Sequence, residues 1–258
     1  IYIGRSMLSF DNLGNLGRLG NQMFQYAALK GIARNRKFDF CIPAKQYIED
    51  NIQNVFKFKC NKLITNNFST AEPHFHFSEK LFNTCENDVN LFGYFQSEKY
   101  FANIKEEIRS DFSFDSDTSN FCKRYLKTIH DGSEFISLHI RHGDYQKIPH
   151  IHPMLDVDYY EKALSFYDKT LPVLVFSDDR DWCKSVFKGD RFFIQKGDTK
   201  TDLCLMSLCN HHIIANSTYS WWGAWLSKST QVIAPKTWFS PSITHDTSDL
   251  YCPSWNLI

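Results

Sequence analysis

Residues 135–145 read FISLHIRHGDY. A short β-prone run, Phe135-Ile136-Ser137-Leu138, ends in His139, Arg141, His142, Asp144 and Tyr145, with Gly143 among them. Two imidazoles, a guanidinium, a carboxylate and a phenol thus leave the end of one strand. In an open α/β sheet, ligands bind at the carboxyl ends of the strands. Arg is the side chain whose planar fork grips phosphate through paired hydrogen bonds. By itself the stretch reads equally well as a polar turn holding an Arg–Asp ion pair, so its neighbours decide.

Downstream the chain alternates. Residues 135–140 are predicted as a strand, 158–169 as an amphipathic helix, 172–177 as a strand and 179–188 as a short helix. Strand 191–195, helix 200–209, strand 212–216, helix 219–228 and strand 231–234 follow. Short apolar runs separated by helical periods mark βαβ units on a parallel sheet. Polar clusters follow the strands: HIRHGDY, then Ser177-Asp178-Asp179, then Asn216-Ser217-Thr218-Tyr219-Ser220. Three such clusters at successive strand ends fit one shared site better than ordinary loop polarity does.

Upstream, a glycine-rich loop (Gly14-Asn15-Leu16-Gly17-Arg18-Leu19-Gly20-Asn21-Gln22) precedes a predicted helix over 23–36. A loop entering a helix N-terminus can turn backbone N–H groups toward an anion. It departs from the dinucleotide fingerprint, since Arg18 and Asn21 place a cation and an amide inside it. Residues 40–90 carry no clear period. Leu91 to Gln96 reads as a strand end before a helix over 97–109, and 110–134, rich in Asp, Ser and Thr, as a connector. The pattern predicts an α/β protein of two Rossmann-like domains, 1–130 and 131–258, facing across a cleft.

Composition excludes some classes. Lysine plus arginine equals 29 and aspartate plus glutamate equals 29, so no net field attracts nucleic acid or an anionic membrane. The eight cysteines are scattered without a C-x-x-C pair and read as buried free thiols in a reducing compartment. No apolar run approaches the roughly 20 residues of a membrane span. Membrane association is expected only peripherally, at the inner face, or through an anchor upstream of Ile1.

Five stretches carry a resemblance. GRLGNQMFQYAALKGIA (17–33), GYFQSEKYF (93–101), HIRHGDY (139–145), FSDD (176–179) and NSTYSWWGAWLS (216–227) are similar, in order, to the blocks of the α-1,2-fucosyltransferases. The last three resemble, more loosely, blocks of α-1,6- and protein O-fucosyltransferases. The resemblance implies a GT-B-like fold and transfer of fucose from GDP-fucose to the 2-hydroxyl of a terminal β-galactoside, with inversion and without cofactor or bound metal. It assigns the galactose-terminated glycan acceptor to 1–130 and GDP-fucose to 131–258. Arg141 matches the arginine assigned to the donor diphosphate, and His139 a residue contacting guanine or ribose. The family block usually reads H-x-R-R-G-D-Y, so His142 is a departure.

Glycosyl transfer builds negative charge on the leaving diphosphate, and a positioned guanidinium stabilises it. Arg141 is the first candidate. Arg18, with Gly20 and Asn21 beside it, either closes over the diphosphate or pins its own loop. Ser217, Thr218 and Tyr219, at a helix start, suit phosphate binding or capping. Asp178 and Asp179 suit guanine N–H groups, whereas Asp179-Arg180-Asp181 also matches the D-x-D of metal-dependent transferases. The general base is open among Asp144, which alternatively orients Arg141, and His142, His150 and His152. His74 and His76 either line the acceptor site or lie at the surface, and Trp221, Trp222 and Trp225 read mainly as core. Asn216-Ser217-Thr218 is a formal glycosylation sequon, and a glycan there would fill the phosphate site, which favours a cytoplasmic enzyme. Rival readings are a sugar-nucleotide- or glycan-binding protein that has lost catalysis through His142, a fucosyltransferase of another linkage, and a nicotinamide oxidoreductase.

Overall fold

A computed structural model describes residues 6–44, 51–58, 61–62, 68–143 and 145–258. The chain forms two compact units, one of residues 1–113 with 245–252, the other of 114–244 with 253–258. In the first, β1 (Met7–Ser9) leads through the glycine loop into α1 (Leu19–Arg36). Then come β2 (Asp39–Ile42), α2 (Ile52–Val55), β3 (Asn61–Lys62), β4 (Phe68–Ala71), α3 (Glu79–Thr84) and β5 (Val89–Phe92). A 3-10 stretch over Glu98–Ile104 runs into α4 (Lys105–Asp111). The second unit opens with α5 (Ser116–Ile129), β6 (Ile136–Ile140), α6 (Val157–Leu164), β7 (Val173–Ser177) and α7 (Arg180–Val186). It closes with β8 (Phe192–Ile194), α8 (Thr199–Leu208), β9 (His211–Ile213), α9 (Thr218–Ser227), β10 (Val232–Ala234) and β11 (Asn256–Leu257).

Each unit holds one parallel sheet. The orders are β3-β2-β1-β5-β4 and β11-β10-β9-β6-β7-β8. In each, the order reverses at the unit's first strand: β1 lies between β2 and β5, and β6 between β7 and β9. Such a switch point parts the connections to either side and leaves a crevice beyond the strand's carboxyl end. The glycine loop leaves β1 there, and HIRHGDY leaves β6. All five residues of β6 are buried, which explains its unbroken β-prone run.

Helix α1 is buried from Leu19 through Ala33 except at Asn21. Several of its buried polar side chains are paired. Lys30 meets Asp111 at 2.5 Å and Tyr26 donates to the same carboxylate at 2.9 Å. Gly31 is required by packing, because a Cβ there would lie 1.9 Å from the Tyr100 carbonyl oxygen. The helix ends where Lys37 takes the left-handed conformation, φ 59°.

Two sequence expectations are corrected. Residues 110–134 are not a connector: α5 fills 116–129, capped by Asp115 accepting from the Thr118 amide at 2.8 Å. Its Cys122 and Leu126 pack with Leu174, Phe176 and Leu205 of the second unit, so the boundary falls at 113/114 rather than 130/131. The Asp, Ser and Thr that suggested a loop are its cap and first turn. The helix expected over 97–109 breaks at Phe101, whose φ of −134° is non-helical. Trp221 and Trp222 are fully enclosed and Trp225 nearly so, and all three are core. Seven cysteines are free and buried, while Cys60 lies outside the described residues. Among the described residues no helix is long and apolar enough to cross a membrane.

Replacing Gly31 with Ala forces a backbone clash against Tyr100. The variant is expected to lose about 1–3 kcal/mol of stability, read as a lower urea midpoint.

Candidate functional site

The turn after β6 is held from β7. The Asp178 Oδ1 atom accepts from the backbone N–H of His142 at 3.0 Å and of Gly143 at 3.2 Å. Its Oδ2 faces Arg141 Nε at 3.8 Å. A Cβ at Gly143 would lie 3.3 Å from that same Oδ2, so glycine allows the carboxylate to approach. The Arg141 guanidinium also lies 5.6 Å from the Tyr145 ring centre. Tyr145 donates to the Asn216 carbonyl at 2.8 Å, joining the turn to the chain entering α9. Asp178 therefore organises the Arg141 turn, a use distinct from the expected guanine contact.

Asp179 is engaged twice. One oxygen caps α7 through the Trp182 amide at 3.0 Å, and the other meets His142 Nδ1 at 2.8 Å. The His142 ring stacks on Trp182 with centroids 4.5 Å apart. Asp181, the other half of the D-x-D, pairs instead with Lys184. Among the described residues no group of three or more His, Cys, Asp or Glu could hold a metal ion.

His139 is buried, and burial together with the Arg141 charge lowers its pKa to about 3, so the ring is neutral. Among the described residues its Nδ1 meets no hydrogen-bond partner, and Tyr219 tilts against it at 5.7 Å. Tyr219 donates to the Thr199 carbonyl at 2.6 Å. Ser217 occupies the N-cap position of α9, yet its side chain makes no capping bond. Thr218 opens the helix. His139, Arg141, His142, Asp178, Asp179, Ser217, Thr218 and Tyr219 thus gather at one edge of the second sheet.

Other candidates fall elsewhere. Asp144 lies outside the described residues. His152 stacks on Tyr145 at 4.8 Å, whereas His150 is exposed. Arg18, Gly20 and Asn21 belong to the first unit, with Arg18 exposed at the N-cap of α1 and Gly20 buried in its first turn. Asn21 accepts from the Gln96 amide at 3.1 Å. Gln22 and Gln25 fix the glycine loop by donating to the carbonyls of Gly17 at 3.0 Å and Leu16 at 2.9 Å. His74 and His76 stack on each other at 3.6 Å, with His76 3.9 Å from Asp246.

Sequence reasoning missed Asp202, on the first turn of α8. Burial raises its carboxyl to about 7, and Oδ1 has no partner among the described residues. A Cβ on Gly197 would stand 2.3 Å from that oxygen. The G-D-T-K-T-D spacing was the available signal, but it reads as an ordinary helix start.

The family model described as glycosyl transferase family 11 matches residues 9–258. The chain belongs to glycosyl transferase family 11. Proteins similar to it include the O-antigen biosynthesis glycosyltransferase WbnK of Escherichia coli, 31% identical over 93% of this chain and 97% of that protein. An alpha-1,2-colitosyltransferase of the same species is 31% identical over 86% of this chain and 90% of its own. The bovine galactoside alpha-(1,2)-fucosyltransferase 1 is 27% identical over 82% of this chain and 64% of that protein. The NodZ alpha-1,6-fucosyltransferase soaked with GDP-fucose superposes with a TM-score of 0.55 at 13% identity, covering 94% of this chain and 98% of that one. That likeness shows the GT-B-like fold, as the family membership shows a glycosyltransferase.

The neutral His139 gives a signed pH effect. Its folded pKa of about 3 lies below the ordinary 6.5, so the unfolded chain binds a proton that the folded chain refuses. The stability it contributes is full above pH 6.5 and falls as the pH drops toward 3. Asp202, with its raised pKa, acts in the opposite sense, so the effect is read against a variant. Between pH 6.5 and 5.0, wild type is expected to lose about 2 kcal/mol that His139→Leu keeps, measured by urea unfolding at each pH.

Proposed function

We propose that this family 11 glycosyltransferase moves fucose from GDP-fucose to the 2-hydroxyl of a terminal β-galactoside, with inversion and without a metal. The observation that carries the reading is Arg141, held at the switch point of the second sheet by the Asp178 carboxylate. A guanidinium so placed suits a diphosphate leaving group, and the start of α9 supplies N–H groups beside it. His139 offers an unpartnered Nδ1 to the nucleoside. Residues of the second unit accordingly bind GDP-fucose and those of the first bind the acceptor glycan.

The 2-hydroxyl linkage is supported by two relatives whose names carry α-1,2 transfer, one of fucose and one of colitose. The second relative favours an alternative donor. Colitose is fucose without its 3-hydroxyl, so the two donors differ by one polar contact. A cytoplasmic location is supported by Asn216, which is 1% exposed with its amide bonded to the Pro153 and Trp238 carbonyls. A glycan on that sequon would prevent this packing.

A screen of GDP-fucose, GDP-colitose, GDP-mannose and UDP-galactose against lactose and related galactosides tests the reading. Formation of 2′-fucosylated product is expected, whereas exclusive use of GDP-colitose would reassign the donor. Arg141→Ala is expected to lower transfer at least about 100-fold while thermal unfolding stays near wild type. Full activity in that variant would refute the role of Arg141. Measurable GDP binding with no product from any pair would favour a binding protein.

A further inference from the structure

Two elements of the second unit carry the anion-binding groups of the reading above, and they come from distant parts of the chain. Arg141 stands on the turn after β6, and α9 begins at Thr218. A diphosphate is gripped by both only if their separation is fixed before it arrives. A loose arginine would lose the freedom of its several rotatable bonds on binding, and the affinity would fall accordingly.

Tyr145 touches both elements. It opens a 3-10 turn over Tyr145–Lys147 and is 8% exposed. The Arg141 guanidinium carbon stands 5.6 Å from the centre of its ring. A cation over a ring is attracted by the ring's quadrupole and keeps its N–H donors for an anion. At the far end of the same side chain, the phenol donates to the Asn216 carbonyl at 2.8 Å, a buried bond across 71 positions of sequence.

Asn216 passes the constraint on. Its amide donates to the Pro153 and Trp238 carbonyls at 3.0 and 3.2 Å, so the residue is fixed through backbone and side chain alike. Ser217, next in the chain, makes no capping bond, and its hydroxyl therefore does not occupy the first-turn amides of α9.

The Tyr145 ring is itself braced. His152 lies nearly parallel to it, at 12° with centroids 4.8 Å apart, and Phe239 packs against His152 at 5.4 Å. The loop carrying His152 is pinned from the segment after β10. There the Ser240 amide donates to the Ile151 carbonyl at 2.9 Å and the Ser242 hydroxyl to the His150 carbonyl at 3.0 Å.

We propose that Tyr145 is a positioning residue for the donor diphosphate, setting Arg141 and the start of α9 at the spacing that lets both hold it. This rests on the GDP-fucose reading above. Asp178 already fixes the turn's backbone at residues 142 and 143. The two ties divide the work: the carboxylate sets the direction of the turn, and Tyr145 sets its distance from α9.

The test measures GDP affinity by calorimetry for wild type, Tyr145→Phe and Tyr145→Leu, each well below its own thermal midpoint. Tyr145→Phe keeps the ring and removes the bond to Asn216, and its GDP affinity is expected to fall about 3- to 10-fold. Tyr145→Leu removes ring and bond together and is expected to lose at least about 20-fold. A residue that served stability alone would lower the midpoint and leave the affinity of the folded protein unchanged. Tyr145→Phe within about twofold of wild type therefore overturns the proposal. Equal losses in the two variants overturn it as well, because the ring would then contribute nothing to Arg141. Should Tyr145→Leu not fold, Tyr145→Phe decides alone. A wild type that binds no GDP overturns the donor reading together with this inference, whereas a GDP-binding wild type beside an unchanged Tyr145→Phe overturns this inference alone.

Discussion

The Asp178 carboxylate is the interaction on which the second unit's polar edge depends. It reaches from the end of β7 to two backbone amides on the turn after β6 and presents its other oxygen to Arg141. A hydrogen bond to a charged group contributes at most about 1.5–3 kcal/mol, and less where water reaches it, as at this half-buried turn. The conformation of residues 141–143 follows from this tie, and so does the direction in which the arginine leaves the strand. His139, one residue inside the strand, stays neutral because the enclosed sheet and the nearby guanidinium both oppose a second positive charge.

The first unit solves the same problem with neutral groups. Its glycine loop also leaves a switch-point strand, but Gln22 and Gln25 of α1 hold it by donating to loop carbonyls. Gln22 reaches further, accepting from the Ile52 amide at 2.8 Å. Amides fix a backbone without adding net charge, so the field around Arg18 is left to other groups. Glu72 is the contrast in this unit: a carboxylate whose Oε2 accepts from two backbone amides, while Oε1 meets no donor among the described residues.

Much of this was legible in the sequence because the second half alternates cleanly between β-prone runs and helical periods. HIRHGDY announced its strand end, since β6 is buried on both faces and the charged residues begin only where it emerges. Asp115 and its neighbours misled for a physical reason: cap residues and loop residues are chosen for the same backbone hydrogen bonding, so an N-cap of α5 resembles a linker. The settings of Asp178, Asp202 and Glu72 were not readable in the same way. Their environments come from contacts between distant segments, such as Gly93 yielding to Glu72, and one-dimensional spacing carries no trace of those distances. His142 was legible as a departure, but its pairing with Asp179 and stacking on Trp182 needed the fold.

Neither unit is one continuous stretch of chain. Residues 245–252 return to the first unit, where Asp249 accepts from the Phe77 amide at 3.1 Å and pairs with Lys99, before 253–258 rejoin the second and supply β11. The polypeptide therefore passes between the units three times, and any relative motion must bend three segments together. No single cut yields an intact half. A chimera that exchanges one unit with a relative must carry this returning segment with the N-terminal part, or it leaves one sheet's unit without its closing strap.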